Sequence, residues 1–585
     1  APEAMRSGKY RFIRTMPLIF SPVDPHLLLL ASNVLFKTTN GGQSWDIISP
    51  DLTREKPDVP ANIGIFRTPA LEKQPRRGVI YAVAPSYKDV NVIWAGTDDG
   101  LIHVTEDGGK KWKAVTPPAV TAWSKVAQID GGRFDSKTAY AAINCIRLDD
   151  MKPHVYRTHD GGKTWTETVK GLPENGPVNV VREDPEWKGL LYAGTERAVY
   201  VSFNDGDEWQ PLRLNMPATS IRDLVVHNDD IVVGTHGRSF WILDNVTPLR
   251  QISEQVSGSA ATLFKPQVAC RVRWNLNTDT PLPPEEPGGQ NPPDGAMIDY
   301  YLSADVKDLR LEILDATGKL IRSYSSLDQP EKVNENSLPY PSYWFRQQQM
   351  LLAKKGMQRF FWDLHFAPPE GVRRSYGMAA ILHDTPMSPV GPWVQPGEYS
   401  VRLTVGGKTY TRPLIVKMDP RVTTPPDALA EQYDLSMVCY QGLQQVYKAR
   451  REIDNVRTRI QSLLKAGATA DMKDLLNKFG RKASALDGTG WAEDVDVMYS
   501  AAYATDRNAE TLLGLQTKLL YLMAVLQGAD AKPTTQAAAA VKGQQQSLKD
   551  VAGRWQELKA GSNDLRILND LLKKSNKQPL NVDEP

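Results

Sequence analysis

A chain of 585 residues exceeds what one hydrophobic core organises, so two to four domains are expected. Seventy Lys and Arg against 68 Asp and Glu leave a formal charge of +2 with no block of like charge, which argues against a nucleic-acid partner. The longest apolar run, Leu519 to Leu526, is far short of the roughly 20 residues of a membrane span, and Cys145, Cys270 and Cys439 offer no CxxC pair or even-numbered framework; a membrane span and a disulfide-held fold are excluded.

The first residue is Ala, so a removed leader or a missing beginning is expected. Residues 1–250 then carry a repeat of Ser/Thr, any, Asp/Asn, any, Gly, any, any, Trp. It occurs at Thr38–Trp45, Thr105–Trp112, Thr158–Trp165 and Ser202–Trp209. Asp or Asn at the third place can accept from backbone N–H groups in a turn, Gly supplies positive φ, and Trp can plug the space between neighbouring sheets. Ahead of each repeat lies a second turn between apolar stretches, as in Gly96-Thr97-Asp98-Asp99-Gly100, Gly194-Thr195-Glu196-Arg197 and Gly234-Thr235-His236-Gly237-Arg238. Five units result, centred near Asn33, Asp98, Asp149, Glu196 and His236, the fifth without the Trp repeat. Small sheets repeated at this spacing pack radially, so a β-propeller is predicted, with N-terminal blades expected to be missing because five blades close poorly. Trp94, Tyr192 and Trp241 read as packing between blades.

Pro281 to Pro293 (PLPPEEPGGQNPP) marks a linker assigned to 251–295. Strand patterns return over 296–420, with a turn at Ala316 to Lys319 and a Gly406-Gly407 hairpin. From Thr424 onward apolar residues recur at three- and four-residue steps, so residues 421–585 are predicted to form an antiparallel helical bundle whose helices pack on each other or dock on the propeller or a partner.

The Trp repeats resemble the Asp-box, or BNR, repeat of sialidases, sortilin-type receptors and two-propeller xyloglucanases. Trp94 to Trp112, Arg222 to Asp244 and Trp45 to Arg54 are similar to phrases of bacterial sortilin-like BNR proteins of the class labelled "glycosyl hydrolase". That resemblance implies a mainly β protein of the Asp-box β-propeller type followed by an immunoglobulin- or fibronectin III-like β-sandwich and the helices. It also implies a secreted or periplasmic setting and a carbohydrate or polypeptide ligand on the face opposite the Asp boxes.

Successive strands reverse direction, so the Gly-Thr turns lie on that opposite face. Binding there points to Asp149, Arg197, His236 and Arg238. The alternative is glycoside hydrolysis by a carboxylate pair drawn from Asp98, Asp99 and Glu196; adjacent Asp98 and Asp99 alternate in direction, so at most one points inward. Phe66-Arg67-Thr68-Pro69 is superficially similar to a sialidase element, but no nucleophile pair accompanies it. His154 and His159 have the wrong parity for a shared metal, and no HExxH, P-loop, dinucleotide fingerprint or GxSxG is in context, so neither metal nor cofactor is expected.

Overall fold

The computed structural model describes residues 9–73, 76–274, 289, 291–338, 341–377, 381, 383–491, 510–561 and 563–580. The chain divides into two compact units at Ile252.

Among the described residues the first unit contains five antiparallel sheets, each a meander in chain order. They comprise β1 (Leu18–Phe20), β2 (Leu28–Ala31), β3 (Leu35–Thr38) and β4 (Asp46–Ile47); β5 (Ile80–Pro85), β6 (Ile93–Thr97), β7 (Ile102–Thr105) and β8 (Lys113–Ala114); β9 (Lys125–Gly131), β10 (Ala139–Asn144), β11 (Val155–Thr158) and β12 (Thr166–Glu167); β13 (Val178–Glu183), β14 (Leu191–Thr195), β15 (Val199–Ser202) and β16 (Gln210–Pro211); and the three-stranded β17 (Ile221–His227), β18 (Asp230–Thr235) and β19 (Phe240–Leu243). Four apolar cores lie between successive sheets. Strand β6 explains the pattern: Ile93 and Ala95 enter the core with the first sheet, while Trp94 enters the core with the third. A middle strand buried on both faces needs apolar residues throughout rather than at every second place. First strands of neighbouring sheets meet in turn, β5 with β9, β9 with β13 and β13 with β17. This radial order is a β-propeller.

The Trp repeats are the turns between third and fourth strands, and each is wired alike. In the second sheet the Thr105 hydroxyl donates to Asp107 Oδ1 (2.9 Å) and accepts from Gly109 N (2.9 Å), while Asp107 Oδ1 also accepts from Lys111 N (2.9 Å). The same three bonds recur around Thr38 and Asn40, Thr158 and Asp160, and Ser202 and Asn204. Gly109 takes φ +99°, a region in which a Cβ is costly. The indoles then cross to the preceding sheet: Trp112 Nε1 donates to Ile48 O (2.8 Å), Trp165 to Val115 O (2.7 Å) and Trp209 to Thr168 O (2.9 Å).

The second unit holds a three-stranded sheet, β20 (Ala261–Leu263), β22 (Ala296–Leu302) and β25 (Gly356–Trp362). A five-stranded sheet in the order β21-β29-β28-β23-β24 is built from β21 (Ala269–Arg271), β23 (Leu309–Asp315), β24 (Leu320–Ser325), β28 (Gly397–Val405) and β29 (Lys408–Met418). One core fills the space between them. A short hairpin, β26 (Ser375–Tyr376) and β27 (Met387–Ser388), stands apart. The expected linker at 251–295 is shorter than its assignment, because β20 pairs with β22 and β21 runs parallel to β29. Alternating Ala261, Leu263 and Ala269 bury their side chains in these sheets; most of the Pro-rich stretch lies outside the described residues. Helices α1 (Pro426–Lys465), α2 (Ala470–Asp487), α3 (Leu512–Leu526), α4 (Thr535–Gly561) and α5 (Asn563–Lys574) share a second core containing Phe479, Leu515, Trp555 and Leu568. The buried pair Arg271 Nη2 to Asp530 (2.8 Å) joins β21 to the segment after α3.

Candidate functional site

In each of the second to fifth sheets, the pairing of the first strand with the second slips by one residue near the same end. The extra residues are Tyr81, Ala127, Asn179 and Arg222. A bulge re-aims the side chain it carries, and bulges at equivalent places point several side chains at one locus. Tyr81 and Arg222 line a cavity of about 640 Å³ together with Arg14, Asp98, Arg147 and His236. Lys125 Nζ stands 4.7 Å from the Tyr81 ring centroid. The cavity therefore collects turns between second and third strands, the end opposite the Trp repeats.

The carboxylates near it are already engaged. Asp98 accepts from Val79 N (2.8 Å) and faces Arg147 at 3.6 Å. Glu196 accepts from Asn179 Nδ2 (2.9 Å) and from Arg222 Nη1 (3.2 Å). Burial would raise the Glu196 pKa, but the surrounding donors and the Arg222 charge outweigh it and hold the carboxyl below its usual range. Arg222 Nη2 also donates to His236 Nδ1 (3.1 Å), so one guanidinium bridges an acid and an imidazole.

Of the residues singled out from sequence, Asp98 and His236 line the cavity, and Glu196 reaches it through Arg222. Asp99 does not line it. Its oxygens accept from the Thr97 hydroxyl (2.5 Å) and Arg54 N (2.9 Å), and it packs so tightly on Gly78 that a Cβ there would stand 2.0 Å from Oδ2. Burial pushes its pKa up despite those bonds. Asp149, at φ +60° after a short 3-10 turn, is exposed, as are Arg197 and Arg238. The Arg238 carbonyl accepts from Trp241 Nε1 (2.9 Å), a structural role. Arg67 pairs with Glu72 (2.5 Å) on the surface. Trp94 and Tyr192 are buried between sheets, whereas Trp241 is half-buried.

Arg14, Tyr81, Arg147 and Arg222 were not anticipated. The available signal was Arg147, two residues before Asp149 in a turn already recognised; the bulge positions leave no local mark.

Among the described residues one group of side chains could hold a metal, which the spacing of histidines alone did not suggest. Ligand atoms of Cys145, Asp150 and His154 lie within 4.8 Å of one another. His154 already bonds Glu167 through Nδ1 (2.7 Å) and Asp150 through Nε2 (2.9 Å), and burial pushes the Cys145 thiol up, away from the thiolate a metal would take.

No family model matches the chain. The oligoxyloglucan-reducing end-specific xyloglucanase of Emericella nidulans is 31% identical over 104 residues, 18% of this chain and 13% of that protein. Vacuolar protein sorting/targeting protein 10 of Laccaria bicolor is 30% identical over 106 residues, 18% of this chain and 6% of that protein. The matches thus span small fractions of both relatives. The solved GH74 xyloglucanase of Xanthomonas campestris covers 39% of this chain and 36% of its own at 16% identity and a TM-score of 0.28. The protein is a β-propeller with distant similarity to xyloglucanases and to vacuolar sorting proteins. Among the described residues no helix is long and apolar enough to cross a membrane.

Proposed function

We propose that the propeller binds, without cleaving, a ligand that presents a carboxylate to the cavity at the bulged strand ends. The observation that carries this reading is the charge of the lining: the guanidinium groups of Arg14, Arg147 and Arg222 stand against one lining carboxylate, Asp98, with His236 beside them. Guanidinium groups match carboxylates in shape and charge, and two of these already hold the chain's own acids, which an incoming carboxylate would share or displace. A polypeptide end or acidic side chain carries that group, as does an acidic glycan. The vacuolar sorting relative supports the polypeptide and the xyloglucanase the glycan. The four identically wired Trp turns support membership among Asp-box, sortilin-like propellers, and that membership supports a secreted or periplasmic setting with an immunoglobulin-like sandwich beside the propeller.

Glycoside hydrolysis, the activity in the name of the xyloglucanase relative, needs one carboxyl kept protonated near neutral pH and another ionised across a cleft. Glu196 is held low instead, and Asp99, which burial raises, spends its oxygens on Thr97 and Arg54.

The test is titration of the full chain with a peptide bearing a free C-terminal carboxylate, its amidated form, an oligogalacturonide and a neutral xylogluco-oligosaccharide. The carboxylate-bearing probes are expected to bind in a salt-sensitive way, with affinity reduced at least about tenfold in Arg222→Gln. Equal binding of acid and amide refutes the reading. Release of reducing ends, lost in Asp98→Asn or Glu196→Gln, replaces it with hydrolysis.

A further inference from the structure

Between β10 and β11 the chain leaves the third sheet at Cys145 and returns to it at His154. Cys145 and Asp150 flank the short 3-10 turn Ile146–Leu148, and His154 immediately precedes β11, so the excursion closes on itself with the three side chains together. The bonds of His154 set a charge problem there. Each ring nitrogen faces a carboxylate, Nδ1 with Glu167 Oε1 at 2.7 Å and Nε2 with Asp150 Oδ2 at 2.9 Å. A neutral imidazole has one N–H and one lone pair. Whichever nitrogen carries the hydrogen, the other lone pair faces a carboxylate, and two acceptors so close require a positive centre between them. A proton is the smallest such centre, and a divalent ion is the other.

Two further features favour the ion. An N–H bond from Nδ1 to a carboxylate is the outer support that ligating histidines use, because it fixes the tautomer and aims the second nitrogen at the metal. Here Glu167 supplies it, and the Tyr156 hydroxyl in turn bonds Glu167. The second feature is the sulfur. A proton shared by Nε2 and Asp150 has no use for a thiol, whereas buried Cys145 completes a set of nitrogen, oxygen and sulfur donors that zinc accepts. Zinc at about 2.0 Å from nitrogen and oxygen and about 2.3 Å from sulfur spaces tetrahedral ligand atoms roughly 3.3–3.5 Å apart. From an Nε2–Oδ2 separation of 2.9 Å and an outer limit of 4.8 Å for the trio, the pair opens by about 0.4 Å and the sulfur closes by no more than about 1.3 Å. All three side chains also line a cavity of about 460 Å³ with Asn62, Thr121 and Ser124, which leaves room for a water on the fourth place of the tetrahedron.

We infer that Cys145, Asp150 and His154 form a binding site for a divalent ion of the zinc class, with Glu167 as the positioning residue behind His154. On loading, the thiol releases its proton to solvent, as does Nε2 where it carries one. The charge of the ion outweighs the burial that otherwise keeps the Cys145 thiol protonated. The ion fastens both ends of the turn that carries Arg147 to the cavity at the bulged strand ends, but its binding is independent of what that cavity takes.

The probe is cobalt(II), a spectroscopic stand-in for zinc, titrated into the reduced, tag-free full chain after chelator treatment. About one equivalent is expected to bind, with a thiolate-to-cobalt charge-transfer band in the near ultraviolet that zinc abolishes by displacing the cobalt. The band is expected to vanish in Cys145→Ser and to remain in the chain carrying both Cys270→Ser and Cys439→Ser. Glu167→Gln is expected to keep the band and weaken zinc binding at least about tenfold, and His154→Gln to weaken it further. A second measurement needs no variant: zinc is expected to slow alkylation of Cys145 in the unaltered chain at least about tenfold, read by mass spectrometry, and to leave Cys270 unchanged. Absence of the band in the unaltered chain overturns the inference in favour of a shared proton. So does a band that survives Cys145→Ser, zinc affinity that His154→Gln leaves intact, or alkylation of Cys145 indifferent to zinc.

Discussion

Trp209→Phe probes the joint between the third and fourth sheets. Trp209 is 2% exposed, and its Nε1 bonds Thr168 O at 2.9 Å. Phe keeps an aromatic ring in the slot but strands a buried carbonyl, which costs about 1–3 kcal/mol. The smaller ring also gives up roughly 40 Å² of buried surface, worth about 1 kcal/mol. The sum is about 2–4 kcal/mol, a fall on the order of 5–15 °C in the thermal transition of a unit this size. The same substitution at Trp45 removes no bond and is expected to cost no more than about 0.5 kcal/mol. The two variants share chemistry and turn geometry and differ only in whether a sheet stands in front of the indole. Calorimetry, with amide exchange of peptides from β9 to β16 assigning the propeller transition, separates the outcomes. Equal shifts in the two variants would show that the Trp acts within its own turn and not as the joint.

Asp530→Ala strands the Arg271 guanidinium, whose side chain is 6% exposed against 8% for Asp530, and is expected to destabilise the second unit by about 3–5 kcal/mol in urea unfolding. His103 titrates against folding: burial pushes it down to about 4, and its Nδ1 has no partner. The unfolded chain takes up that proton near its ordinary 6.5, so the propeller is expected to hold its stability above that pH and lose up to about 3 kcal/mol as pH falls towards 4, a slope that His103→Phe flattens. Ala127 holds the bulge place occupied elsewhere by Tyr81, Asn179 and Arg222, so Ala127→Arg is expected to tighten binding of the free-carboxylate peptide several-fold without lowering the thermal transition. Unchanged affinity would mean that the third-sheet bulge aims elsewhere.

The Trp turns were legible because each of their residues has one physical job at a fixed spacing. The hydroxyl and carboxyl or carboxamide close the turn, glycine provides positive φ and close approach, and tryptophan spans to the next sheet. Asp98 and Asp99 were expected to alternate along a strand, but both lie in the turn that follows β6; of the two, only Asp98 lines the cavity. The rest of the site was hidden for a different reason. Tyr81 and Arg222 lie inside strands, where a lone aromatic or charged residue reads as packing or as solvent-facing relief. What turns them inward is a slip in pairing with the next strand, Ile80 and Ala82 against Thr97 and Gly96, Ile221 and Asp223 against Thr235 and Gly234. Pairing register belongs to two strands at once, so neither strand's composition records it. The linker was overextended for a related reason. β20 and β21 are three residues each, too short for periodicity to speak, and acquire their identity only from β22 and β29. Local chemistry writes itself into a sequence when one segment performs it alone; what two segments perform together becomes visible only when they are paired, and in this propeller the cavity at the bulged strand ends is of the second kind.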